Sequence, residues 1–333
     1  MNFADCFTVL GLYDEAGPAP ITPGFEACGV VESIGSDVTT HAVGDRVIGL
    51  KRFSCYATVL NVEEDFVRPL RDNWSFAEGA SFLAQAFTAW YALCVLGAMP
   101  ISAKEQSRHV TSARRAVLVH SAAGGVGLQL VEMVRHIGGI VVCTVGNEEK
   151  AKLLKERCGI PRERVIVRGV DDAADGLEKV VRERALAGEG GLDVVVDSVL
   201  GRNFEPGYNL LNTGGRYIVM GVASMMPRGG LNIFRPSGWR NLITLALNYL
   251  RRPSLDLAQS INDNKTVSGF NVSGLFSEME LVKRGFKEVD QMELPRPLVG
   301  RKFAFEDVRE AMVFFQSGKS KGKLVLEVNG GEE

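Results

Sequence analysis

Hydrophobic and polar positions along the chain follow two different periods. Short runs rich in β-branched residues and punctuated by glycine predict three strands, at 24–35, 44–50 and 55–62. After them, apolar residues recur at helical spacing, and Glu78 stands three positions after Ser75, as in a capping box. The first part of the chain is therefore predicted to be β-rich and to end in a long helix.

Beyond residue 115 strand-like and helix-like patterns alternate. The strand patterns lie at 116–121, 140–146, 164–169, 192–199, 214–223 and 266–272. Helical patterns lie between most of them, for example at 148–159 and 176–187. This alternation predicts an α/β fold with a doubly wound parallel sheet. A further helix at 238–252 is unusually apolar, so it is expected at a cleft rim or an interface, or in the core.

Composition narrows the class of protein. The chain has 333 residues, of which 46% are hydrophobic and 23% charged, as is typical of a two-domain globular enzyme. Its formal net charge of −2 does not indicate a nucleic-acid partner. Its apolar runs are strand-sized, so no transmembrane segment is expected. The six cysteines form no C-x-x-C pair, and no basic stretch opens the chain. Reduced thiols in a cytoplasmic protein are therefore expected.

The segment VLVHSAAGGVG carries the clearest chemical signal. Ala122, Gly124 and Gly127 occupy the three glycine positions of a G-x-G-x-x-G turn between a strand and a helix. Gly124 would let the backbone approach a pyrophosphate, Gly127 would permit close helix–strand packing, and the amides that open the helix would favour an anion. The alternative is a tight corner that binds no dinucleotide.

The end of the next strand indicates which dinucleotide. No acid closes this strand after Thr144 and Gly146, and Lys150 lies one turn into the following helix. An acid would bind the ribose 2′-hydroxyl of NAD, whereas a cation suits a 2′-phosphate, so NADP(H) is the predicted cofactor. Glu148 and Glu149 weaken this argument, and Lys150 as a solvated helix residue is the alternative.

Several segments together resemble a known family. They are 2–13, 22–38, 44–50, 122–127, 144–150 and 322–328. The sequence resembles the zinc-free branch of the medium-chain dehydrogenase/reductases, with quinone oxidoreductases, zeta-crystallin-like proteins and the enoyl reductases of polyketide synthases. Within that branch, residues 2–14, 241–250 and 264–272 look most like the vesicle amine transport protein homologues.

The resemblance implies a GroES-like catalytic domain at 1–94 and 272–333 and a Rossmann domain at 95–271. Phe25 stands where zinc-dependent relatives carry a histidine, so no metal is expected. Relatives usually have some thirty residues before the position of Asn2, which indicates an N-terminally truncated form or an incomplete barrel.

The family's functional positions carry over residue by residue. Asn2 and Tyr13 are the implied catalytic residues of the nicotinamide cleft, although Tyr13 could simply pack there. The implied cofactor-binding residues are Thr88, Ala123, Gly124, Gly125, Val126, Gly127, Thr144, Gly146, Lys150, Arg168, Gly221, Phe270 and Lys323. Val167 stands where many relatives have a tyrosine beside the 2′-phosphate, and Arg168 could supply charge instead. Phe270 as a core residue is the alternative.

These expectations combine into a reaction. Hydride would pass from NADPH to a small electrophile, a quinone or an activated carbon–carbon double bond, and Tyr13 and Asn2 would stabilise the developing oxyanion. Tyr13 or solvent would then supply the proton. The resemblance also implies a homodimer. The alternatives are a non-catalytic NADP(H)-binding protein acting through a partner or a membrane, and an enoyl-thioester reductase.

Overall fold

The computed structural model describes residues 1–13, 17, 20–102, 115–173, 176–187, 190–225 and 236–328. The chain forms two compact units. The first unit comprises Met1–Phe87, Ser273–Arg284 and Arg296–Glu333, and the second comprises Thr88–Val272 and Gly285–Pro295. The predicted ranges placed the divisions at 94/95 and 271/272, and they assigned 285–295 to the first unit.

The strands and helices are numbered in chain order over the described residues. The strands are β1 (Glu26–Val30), β2 (Arg46–Leu50), β3 (Val67–Pro69), β4 (Ala116–His120), β5 (Ile140–Val145), β6 (Val165–Val167), β7 (Leu192–Asp197), β8 (Leu211–Val219), β9 (Thr266–Gly269), β10 (Val299–Ala304) and β11 (Lys323–Glu327). The helices are α1 (Phe3–Val9), α2 (Phe76–Gly79), α3 (Leu83–Trp90), α4 (Gly125–His136), α5 (Glu148–Cys158), α6 (Gly176–Val180), α7 (Phe204–Asn209), α8 (Pro236–Leu250), α9 (Leu257–Asp263), α10 (Met279–Gln291) and α11 (Val308–Gln316).

The first unit contains two small sheets. Strands β1, β2 and β3 form an antiparallel sheet in that order, and β10 pairs with β11 in parallel. A small core gathers around the parallel pair, with Phe303, Ala311 and Leu324 buried together. The strand predicted at 55–62 is wrong, because these residues form bends and irregular chain. A β-branched composition alone does not supply a partner strand.

The long helix predicted after Ser75 is confirmed as helical chain but not as one regular helix. The capping box is present: Glu78 N donates to Ser75 Oγ at 3.3 Å, and Ser75 N donates to Glu78 Oε2 at 2.8 Å. The chain then runs through α2, a turn, α3 and a π-helical segment, Tyr91–Leu96. Among the described residues, this stretch is long and apolar enough to cross a membrane. However, 72% of its 18-residue window is buried, as in a core helix.

The second unit is built on a parallel sheet, as the alternating pattern predicted. Its strand order is β6-β5-β4-β7-β8-β9, and every pair is parallel. Strands β4 and β5 are buried along their whole length, which explains their continuous apolar runs. The order reverses between β4 and β7. In such sheets ligands bind at the carboxyl ends of the strands beside this point.

Helix α8 is the apolar helix predicted at 238–252. Its core alternative is wrong for the described chain, because Trp239, Ile243 and Leu247 expose 58%, 57% and 43% of their surface. These residues are spaced four apart, so they share one helix face. That face is an exposed apolar stripe of the second unit.

Candidate functional site

The turn after β4 has the geometry expected of a phosphate-binding corner. Ser121 adopts a positive φ of 56°, and Gly124, with φ −83° and ψ 174°, caps helix α4. A Cβ on Gly127 would lie 2.4 Å from the Ser121 carbonyl oxygen and 2.7 Å from Ala122 Cα. Only glycine fits there, so the third glycine position is set by close packing of helix on strand.

The amides at the start of α4 are available to an anion. Ala123 is buried beneath the turn, whereas Gly124, Gly125 and Val126 are partly exposed. Gly124 N donates to the Ser121 carbonyl, but the amides of Gly125, Val126 and Gly127 have no partner within the described part of the chain. Unpaired amides at a helix N-terminus, reinforced by the helix dipole, favour phosphate. The corner therefore fits a dinucleotide's pyrophosphate.

The end of β5 carries no acid in the predicted ribose position. Thr144 is buried, Gly146 is exposed, and Asn147 caps α5 by accepting a hydrogen bond from Lys150 N at 3.0 Å. The Glu148 carboxylate is paired with Arg162 at 2.9 Å. This ion pair engages one of the two acids that counted against a 2′-phosphate.

Arg168 brings positive charge to the same place. It follows β6, and its Nη1 lies 3.4 Å from both Ser121 Oγ and Thr144 Oγ1. Its Nη2 lies 3.9 Å from where a Cβ on Gly146 would stand. Burial lowers the pKa of Arg168, while the nearby Asp197 raises it. Both contacts are long, and Nε and Nη2 have no partner among the described residues, so these donors remain for a ligand.

Two of the remaining predicted residues of the second unit, Gly221 and Phe270, lie just after strand ends, and the third, Thr88, lies in a helix. A Cβ on Gly221 would lie 3.0 Å from the Ser198 carbonyl oxygen, so the loops after β7 and β8 approach closely. Phe270 follows β9, and its ring centroid lies 4.9 Å from that of Tyr91. Thr88 is partly buried within α3. Because all strands are parallel, the turn, Gly146, Arg168, Gly221 and Phe270 share one sheet edge.

Sequence reasoning missed a buried polar chain behind the turn. His120, the last residue of β4, is fully buried, and its Nδ1 lies 2.9 Å from Thr144 Oγ1. Its Nε2 has no partner in the described structure. Asp197 ends β7 and accepts hydrogen bonds from Tyr217 Oη and the Val199 and Leu200 amides. A histidine directly before the turn was the signal available in the sequence.

In the first unit, the half-buried Asn2 joins the buried Lys323 and Glu26 in one hydrogen-bonded network. Lys323 Nζ donates to the Met1 carbonyl oxygen, Asn2 Oδ1 and Glu26 Oε1 at 2.6, 2.9 and 2.8 Å, which uses all three ammonium protons. Asn2 Nδ2 donates to Glu26 Oε1 at 3.1 Å, and Gln85 Nε2 donates to Asn2 Oδ1 at 2.8 Å. Burial favours the neutral acid, but Lys323 holds the pKa of Glu26 below its ordinary value.

Tyr13 lies on an aromatic surface of the same unit. Its hydroxyl is 2.9 Å from Ser273 Oγ. Its ring packs edge-on against Phe25 and Phe53, with a distance of 6.0 Å between ring centroids in each pair. The half-buried ring leaves Tyr13 partly exposed. The hydroxyl therefore belongs to a two-hydroxyl pair that can pass a proton.

Candidate metal ligands do not converge in the described ranges. No group of three or more His, Cys, Asp or Glu side chains is arranged to hold a metal ion in that part of the chain. The six cysteines are free thiols. Burial raises the pKa of Cys6, Cys28 and Cys55 to about 12, so these thiols are protonated at neutral pH.

Comparison with known sequences finds a family match in each of the two units. Residues 1–95 match the profile of the alcohol dehydrogenase GroES-like domain, and residues 125–283 match that of the zinc-binding dehydrogenases. The chain is 30% identical over 332 residues to the human synaptic vesicle membrane protein VAT-1 homolog, covering 98% of this chain and 76% of the relative. It is also 30% identical over 330 residues to a highly reducing polyketide synthase of Cladosporium cladosporioides, covering 99% of this chain and 12% of the synthase.

Solved structures share the fold. A mycobacterial protein solved with NADPH is 25% identical, with a TM-score of 0.74 and coverage of 98% of this chain and 88% of that one. The Escherichia coli quinone oxidoreductase solved with NADPH is 21% identical, with a TM-score of 0.71 and the same coverage. The strand-turn-helix corner, the two units and these matches agree, and the chain belongs to the medium-chain dehydrogenase/reductase family of oxidoreductases.

Proposed function

We propose that this oxidoreductase uses NADPH to reduce a quinone or an activated carbon–carbon double bond. The observation that carries the proposal is the pairing of two features at one sheet edge. Within the described ranges, the amides of Gly125–Gly127 have no hydrogen-bond partner, and the Arg168 guanidinium lies beside Gly146 with Nε and Nη2 unused. The first feature suits a pyrophosphate and the second suits a 2′-phosphate. The mycobacterial relative solved with NADPH supports the same cofactor.

The proposed chemistry places few demands on the protein. The bound cofactor supplies the hydride, and negative charge then develops on the substrate oxygen. Asn2 donates one Nδ2 proton to Glu26, and its second has no partner in the described part of the chain, so we assign it to that oxygen. Lys323 and Gln85 fix the Asn2 side chain through its Oδ1, which preorganises the donor. Tyr13 and Ser273 provide the route for a proton.

The test has two stages. Purified protein is titrated with NADPH and with NADH by calorimetry, and nicotinamide absorbance is then followed with a panel of quinones, enones and enals. We expect tighter binding of NADPH than of NADH, and NADPH oxidation with at least one electrophile. An absence of NADPH binding would refute the cofactor proposal. Tight binding without turnover across the panel would refute the enzymatic one.

A second candidate reaction is the reduction of enoyl thioesters. The observation that favours it is the match to a polyketide synthase over nearly the whole chain at 30% identity. Crotonyl thioesters added to the same panel separate the two candidates. Faster turnover of the thioester than of the free enone or enal would favour this second candidate.

A further inference from the structure

A polar chain runs from the interior of the second unit to Arg168. His120 Nδ1 contacts Thr144 Oγ1 at 2.9 Å, and Thr144 Oγ1 in turn contacts Arg168 Nη1 at 3.4 Å. His120 and Thr144 have no exposed surface, whereas Arg168 is partly exposed. This series of hydrogen-bonded side chains therefore links the fully buried His120 imidazole to the Arg168 guanidinium beside Gly146.

The His120 side chain makes no other hydrogen bond in the described structure. Its Nε2 is buried without a partner among the described residues, so the only hydrogen bond that the ring makes to them is the one to Thr144. A buried polar atom left unpaired is costly, and a leucine in this place would avoid that cost. The histidine is therefore explained by its Nδ1 contact and not by packing.

Burial favours the neutral form of the His120 ring. Burial lowers the pKa of His120; Asp197 opposes this shift and Arg168 adds to it. Asp197 is already satisfied by Tyr217 and two backbone amides. The Thr144 hydroxyl donates to Nδ1 in one neutral tautomer and accepts from it in the other. In both cases the Nδ1 contact fixes the hydroxyl and leaves one of its lone pairs to accept a hydrogen bond from Arg168.

The long contacts of Arg168 make this support important. The described chain provides no carboxylate that pairs with the guanidinium, so its hydrogen bonds are those to Thr144 and Ser121. Without a fixed Thr144 hydroxyl, one of the two anchors is lost, and the long side chain must be ordered by the ligand at an entropic cost.

We propose that His120 is a positioning residue for cofactor choice: through Thr144 it holds Arg168 in place, and so it raises the preference for NADPH over NADH. This inference rests on the proposed function. It concerns only the ribose-phosphate end of the cofactor, which distinguishes it from effects on the reacting atoms.

The test compares side chains that place a polar atom at one ring nitrogen or the other. Asparagine carries its terminal atoms on Cγ, in the position of Nδ1, whereas glutamine reaches the position of Nε2. His120→Asn is expected to keep the ratio of the NADH and NADPH dissociation constants within about twofold. His120→Gln and His120→Leu are expected to lower that ratio about fivefold, since one hydrogen bond is worth roughly 1 kcal/mol and about 1.4 kcal/mol corresponds to a factor of ten. Calorimetry with NADPH, NADH and 2′,5′-ADP provides the readout.

Further variants test the path through the hydroxyl. Thr144→Val should lower the ratio as His120→Leu does, Thr144→Ser should retain it, and the His120→Leu/Thr144→Val double variant should lose no more than either single variant. Cys143→Ala, a neighbouring buried change without a polar contact, is the matched control and should leave the ratio unchanged. Thermal unfolding checks that each variant is folded.

The outcomes separate this inference from the proposed function. Equal ratios in the Asn, Gln and Leu variants, while Arg168→Met abolishes the preference, would overturn the role of His120 and leave the proposed cofactor site standing. A ratio unaffected by Arg168→Met would overturn the site itself. If His120→Leu does not fold, His120→Gln and Thr144→Val give the same decision.

Discussion

Two cations of this protein, the buried Lys323 and the partly exposed Arg168, have opposite surroundings. The Lys323 ammonium gives its three protons to three protein oxygens, including a carboxylate of Glu26 that is also buried. Arg168 makes two contacts of 3.4 Å, and none of its described partners is a carboxylate. A cation saturated by its own protein holds the fold together, whereas one with donors left over is available to a ligand.

This difference changes how the family-based prediction for Lys323 is understood. The residue was expected to contact cofactor, yet its geometry leaves no proton for one. Its contribution to a site passes through Asn2, which it fixes. The comparison can be tested from both sides.

The largest expected effect is on stability. Lys323→Met leaves the Glu26 carboxylate buried and unpaired, and it should lower the free energy of unfolding by about 3–5 kcal/mol. Urea denaturation measures the change. Adding Glu26→Gln to Lys323→Met removes the unpaired charge and should recover part of the lost stability. A Lys323→Met variant as stable as the wild type would show that the Lys323–Glu26 pair does not stabilise the fold.

Arg168→Met should affect cofactor binding and leave stability nearly unchanged, the reverse of Lys323→Met. Loss of a charged hydrogen-bonding group is expected to weaken NADPH binding by about 1.5–3 kcal/mol, while NADH binding and the free energy of unfolding stay nearly unchanged. Calorimetry and urea denaturation of one preparation measure both. A variant that is destabilised as strongly as Lys323→Met would remove the distinction between the two cations.

Gly127 and Gly124 of the turn differ in the same way, since a substitution of the first should affect stability and one of the second should affect cofactor binding. Gly127→Ala should cost about 1–3 kcal/mol of stability, because its Cβ would clash with backbone at 2.4 Å. Gly124→Ala meets only the Ser121 carbonyl oxygen, at 3.4 Å, and should fold normally. We expect it to weaken NADPH and NADH binding equally, since both carry the pyrophosphate. A change in their ratio would contradict this assignment.

The smallest expected effect is a pH dependence. Because Lys323 holds the pKa of Glu26 below its ordinary value, ionised Glu26 contributes stability above about pH 4.3, the unfolded value, and this contribution is lost as the pH falls through the lower folded value. Glu26→Gln cannot titrate. Its stability deficit relative to the wild type should therefore shrink as the pH falls below about 4.3. A deficit that is constant with pH would show that Glu26 is not ionised in the fold.

The sequence determined the elements whose signal is local. A continuous apolar run predicts each buried parallel strand, Ser75 and Glu78 predict their capping box, and the glycine spacing predicts the turn at 122–127. These features depend on neighbours a few residues away, so periodicity and turn chemistry suffice to find them. The absence of an acid after β5 could also be read directly.

Only the tertiary structure decided which charges remain available. Lys323 meets Glu26 across 297 positions, and Arg168 meets Ser121 across 47, distances over which no periodicity carries information. The same applies to His120, whose partner Thr144 belongs to the next strand of the sheet. A side chain's hydrogen-bonding capacity is fixed by its chemistry, but the fraction that the protein itself uses depends on which strands and termini the fold brings together.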